Sequence, residues 1–72
     1  MNITLIVIPG PGARPVTLDN SSTVEQLVVQ ENLHGRDIII NGASILPANW
    51  ATTTLSANDE VFATGSVKGN LN

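Results

Sequence analysis

Pro15–Ile40 reads PVTLDNSSTVEQLVVQENLHGRDIII, and the change of hydrophobic period along this stretch decides the fold. Val16 and Leu18 are apolar with Thr17 polar between them, the period-two alternation of a half-buried strand over Pro15–Asp19. Ser22 then stands three residues before Glu25. That spacing lets the serine hydroxyl accept from the third helical amide while the glutamate reaches back to the cap amide, a capping box. Val24, Leu27 and Val28 follow at i, i+3 and i+4 on one helical face, which predicts a helix over Thr23–Glu31, with Gly35 in the loop after it. Arg36–Ile40 ends the stretch in three isoleucines and reads as a strand buried on one side and lightly covered on the other.

Working outward, Asn2–Ile8 is an apolar, β-branched run and a first strand. Pro9-Gly10-Pro11-Gly12 stops it, because proline cannot donate to a ladder and glycine opens unusual turn angles. The two runs and this turn make a β-hairpin. On the C-terminal side, Asn41-Gly42 is a tight-turn pair in which both residues tolerate positive φ. Ala43–Leu46 is a short fourth strand, Pro47–Leu55 a connection carrying Trp50, and Asp59–Val67 the last strand. The order is β-β-α-β-β-β. One helix covers only one face of such a sheet. This is an α+β chain in the order of a β-grasp (ubiquitin-like) fold, with a mixed sheet of four to five strands and the helix packed across one face. Residues 1–67 form the single expected domain, and 68–72 a flexible tail.

Composition narrows the function classes. A chain of 72 residues buries only about 60% of its unfolded surface, so its stability is thin. With no cysteine, it has neither a disulfide nor a thiol nucleophile. Net charge is −3, and the cations are dispersed at Arg14, Arg36 and Lys68, which argues against nucleic-acid binding. The run Ile3–Ile8 lacks a basic leader and falls far short of the roughly 20 residues that span a bilayer. The expectation is a cytoplasmic protein that engages neither membrane nor nucleic acid.

No catalytic, metal or cofactor site emerges. His34 is the sole histidine and has no clustered ligand beside it. Asp59 and Glu60 are adjacent in a strand, so their side chains point to opposite faces and do not share a substrate. Pro9–Gly12 lacks the run of free amides that a phosphate loop needs. The sheet faces say more. Alternation sets Ile3, Leu5, Val7, Val16, Leu18, Ile38, Val61 and Ala63 toward the helix. It leaves Thr4, Ile6, Ile8, Thr17, Ile39 and Phe62 on the open face. Ile6, Ile39 and Phe62 are the candidate partner-binding residues, because large apolar groups on neighbouring strands favour an interface.

Between Asn41 and Asn70 the chain resembles the bacterial sulfur-carrier family that includes ThiS and MoaD. The residues that carry the likeness are Asn41-Gly42, Ile45-Leu46-Pro47, Trp50-Ala51, Thr54-Leu55, Asp59-Glu60-Val61 and Val67-Lys68-Gly69-Asn70. Ser22-Thr23-Val24 with Leu27 resembles the family's helix start. The resemblance implies an ubiquitin-like fold, partner binding through the open sheet face, and a C-terminus that a partner enzyme adenylates with ATP before sulfur transfer. It adds Gly69 and Asn70 to the candidate partner-binding residues. The family ends in two glycines because the tail threads a narrow channel where a Cβ obstructs. Here Asn70 stands in place of the second glycine, and Leu71-Asn72 extend past the reacting position. In this the chain is similar to ThiS-like proteins of plasmid and phage gene clusters.

The reading favoured by these residues is a non-enzymatic, ubiquitin-like protein-binding module without a cofactor. Its partner is an adenylating-type enzyme, another protein or a second copy of the chain. The rival is an active sulfur carrier for thiamine or molybdopterin synthesis, and a third is a small structural subunit.

Overall fold

A computed structural model describes residues 1–65; Gly69, Asn70 and the expected tail lie outside the described residues. It is an α+β arrangement of one five-stranded mixed sheet, one α-helix and one turn of 3-10 helix. The strands are β1 (Asn2–Ile8), β2 (Gly12–Thr17), β3 (Asp37–Ile40), β4 (Ala43–Ile45) and β5 (Glu60–Thr64), and the helix α1 is Val24–Glu31. The sheet order is β2-β1-β5-β3-β4. β1 and β5 run parallel at the centre, and the other pairs are antiparallel. No helix among the described residues is long and apolar enough to cross a membrane.

β2 starts and stops earlier than the expected Pro15–Asp19, because β1 needs a partner along its length. Val7 pairs with Gly12 and Asn2 with Thr17. Met1 and Leu18 exchange both backbone bonds just beyond the last pair, at 2.7 and 2.8 Å. Counting back in twos makes Thr4–Pro15 a non-hydrogen-bonded pair, so the missing proline N–H leaves no gap in the ladder.

The helix cap is also shifted from the expected Ser22–Glu25 pair. Thr23 is the N-cap: its Oγ1 accepts from the Gln26 amide at 3.3 Å, and Gln26 Oε1 accepts from the Thr23 amide at 2.8 Å. Both S-x-x-E and T-x-x-Q fit the box, and long-range bonds choose between them. Ser22 is buried; its hydroxyl donates to the Asp19 carbonyl at 2.7 Å, and its own carbonyl accepts from the Leu55 amide at 2.8 Å. The next helical amides, Val24 and Glu25, donate to the carbonyls of Thr53 and Trp50. The segment after β4 thus satisfies amides that every helix start leaves unpaired. At the other end Asn32, at φ 57°, closes the helix, and Gly35 lies in the following loop.

The core lies between α1 and one sheet face. Val24, Leu27 and Val28 are fully buried against Ile3, Leu5, Ile38, Val61 and Ala63, with Val7, Val16, Leu18, Leu33, Trp50 and Leu55 around them. All eight sheet residues expected to face the helix are buried. Trp50 follows the 3-10 turn Pro47–Asn49 and donates its indole N–H to the Ile45 carbonyl at 3.0 Å. β3 starts at Asp37 because the Arg36 amide bonds to the Leu33 carbonyl, and β5 is Glu60–Thr64, one residue later than the expected start at Asp59; Ser66 and Val67 of the expected strand lie outside the described residues.

Candidate functional site

The sheet face opposite α1 is built by alternation, and register decides what meets on it. Ile6 of β1 lies opposite Phe62 of β5, and Phe62 lies opposite Ile39 of β3. The same row runs outward to Ala13 on β2 and Ser44 on β4. One line, Ala13–Ile6–Phe62–Ile39–Ser44, therefore crosses all five strands, with its three large apolar side chains side by side at the centre. Directly opposed Cβ atoms in a sheet lie about 4.5–5.5 Å apart, so these side chains pack on one another. That packing leaves Ile6, Phe62 and Ile39 half-buried although no second layer among the described residues covers them.

The neighbouring rows frame this stripe. Thr4 faces Glu60 on one side, and Ile8 faces Thr64, which faces Asp37, on the other. Ile8 is 51% exposed, more than Ile6, Phe62 or Ile39. Leu46, 65% exposed, continues past β4 and was not among the expected open-face residues. Alternation from Ser44 was the signal that pointed to it. Val29 is 63% exposed on the far side of the molecule, on the solvent side of α1. Glu60 and Asp37 were likewise not expected beside the stripe; placing them needed the pairing register.

The polar residues have structural work. Asn41 and Gly42 both take positive φ, 49° and 88°, in the two-residue turn between β3 and β4. Asn41 also ties that turn to β5: its Oδ1 accepts from the Glu60 amide at 2.9 Å, and its Nδ2 donates to Asp59 Oδ1 at 3.0 Å. Asp59 Oδ2 accepts from the Ser56 amide at 2.8 Å, so this carboxylate closes the turn before β5. Arg14 of β2 pairs with Glu31 of α1, pinning the helix end to the edge strand. The hydrogen bond from Arg14, helped by one from Gln30, holds the Glu31 carboxyl below its ordinary range; partial burial opposes them. His34 is exposed, and among the described residues no group of three His, Cys, Asp or Glu is placed to hold a metal ion.

No protein-family model and no curated protein matches the chain.

Proposed function

We propose that this chain is a ubiquitin-like, β-grasp module that works by binding another protein through the open face of its sheet. The observation that supports this reading is the row Ala13–Ile6–Phe62–Ile39–Ser44, which sets three large apolar side chains side by side on the uncovered face. The helix would bury such residues if they faced it; here nothing among the described residues covers them, and a partner removes them from water at roughly 25 cal/mol per Å². On this reading the likeness to ThiS and MoaD marks ancestry, and Asn70 separates the chain from carrier chemistry.

Site-specific photo-crosslinking in the source cells tests the proposal. A photoreactive phenylalanine analogue is placed at Thr4 or Ser44 on the open face, and at Gln26 or Gln30 on the outer side of α1. Protein adducts from the first pair, lost when Phe62→Ala is added, are the expected result. Adducts from the helix positions alone, or from none of the four, overturn the reading.

A further inference from the structure

Among the described residues, the open face carries charge of one sign: its outward charged side chains are Glu60 on β5 and Asp37 on β3, both exposed. The cations among the described residues are engaged elsewhere. Arg14 pairs in the sheet with the inward residue Leu5 and is held by Glu31 of the helix. Arg36 is half-buried, with Nη1 enclosed by the protein. The N-terminal ammonium donates to the Leu18 carbonyl.

The two carboxylates bracket the apolar stripe. Glu60 lies one row before Phe62 on β5, while Asp37 pairs with Thr64, one row after it. With about 3.3 Å per residue along a strand and about 4.8 Å between strands, the two Cα atoms stand roughly 14 Å apart, on opposite sides of Phe62 and Ile39.

We propose that the open face docks a protein surface with an apolar centre flanked on both sides by lysine or arginine. This rests on the protein-binding reading above and names the class of partner. Complementary charge steers such a partner and fixes its orientation, whereas like charges across an interface oppose docking. A second copy of this chain is thereby disfavoured. Two-fold apposition of the face brings two pairs of carboxylates together without a described cation between them, in a chain already at −3.

The test is an unbiased displayed-peptide library panned on the full chain, with Phe62→Ala as counter-target. The expected Phe62-dependent clones carry Lys or Arg on both sides of an apolar centre. Their affinity falls about five-fold or more on the Glu60→Gln/Asp37→Asn double variant and falls again at high salt. The wild-type chain sediments as a monomer. Phe62-dependent clones with neutral or acidic flanks, or affinities unchanged by the double variant, overturn the cationic class while leaving the docking face intact. A dimer that Phe62→Ala dissolves makes a second copy the occupant and overturns the proposal. Absence of any Phe62-dependent clone overturns both this proposal and the face itself.

Discussion

Replacing Trp50 with alanine tests how the connection after β4 is held. The indole is 9% exposed, so nearly all of its surface is out of water. A buried tryptophan removes about 150–250 Å², worth roughly 4–6 kcal/mol at 25 cal/mol per Å². The unfolded chain already hides part of that area, and the alanine methyl recovers a little, which brings the cost to about 3–5 kcal/mol. A domain of this size has only about 4–11 kcal/mol of stability, so the variant sits at the edge of folding. The effect reaches the helix, because the Trp50 and Thr53 carbonyls receive the amides of Glu25 and Val24. Urea unfolding is followed by far-UV circular dichroism, since Trp50 is the only tryptophan and its fluorescence leaves with it. With a slope of roughly 1 kcal/mol per M, the midpoint falls by about 3–5 M. Trp50→Phe keeps one six-membered ring but loses the pyrrole half of the indole and the bond to the Ile45 carbonyl, at about 1–3 kcal/mol, and remains measurable if the alanine variant does not fold. A Trp50→Ala midpoint within about 0.5 M of wild type refutes the argument.

Phe62→Glu loses two cross-strand apolar pairs and no core contact, so it costs about 0.5–2 kcal/mol and the chain stays folded; a thermal melt showing complete unfolding places Phe62 in the core instead. Asn41→Asp turns a donor toward Asp59 into a second carboxylate, costing about 1–2 kcal/mol at neutral pH; a urea midpoint equal to wild type refutes the pairing. Arg14→Gln removes the group that lowers the Glu31 pKa. The wild-type advantage, about 0.2–1 kcal/mol for a pair whose arginine is open to solvent, is full above the unfolded carboxyl value of 4.5 and fades as pH falls through the lower folded value. A gap that widens in acid contradicts it. Incubated with a bacterial adenylating enzyme, ATP and a sulfur source, the chain is expected to keep its intact mass, because Asn70 stands where carriers have glycine; a thiocarboxylate product refutes the separation from carrier chemistry.

Much of the sheet was legible residue by residue. Leu5, Val7, Val16 and Ile38 were assigned inward by alternation alone, and all are buried. The same period set Ile6, Ile39 and Phe62 outward, and the pairing register puts them in one row. Asn41-Gly42 announced its turn because few other pairs accept positive φ twice. The helix cap was off by one, since Ser22 and Thr23 offer the same local chemistry. The Leu55 amide, reached through the fold, assigns Ser22 to the loop, together with the local bond from its hydroxyl to the Asp19 carbonyl. The early start of β2 and the flanking of Phe62 by Glu60 and Asp37 were likewise outside the reach of any window of sequence.

Local pattern was enough to order the strands and helix along the chain and to orient most of their apolar residues, because helix and strand periods are local geometry, repeated every few residues. The tertiary structure alone decided that β5 lies between β1 and β3 in a register that puts Phe62 opposite both Ile6 and Ile39. It also decided which carbonyls serve the start of α1 and which charges border the open face. Those choices depend on hydrogen bonds between residues far apart in the chain, and a one-residue change in any pairing alters every neighbour without altering the local pattern.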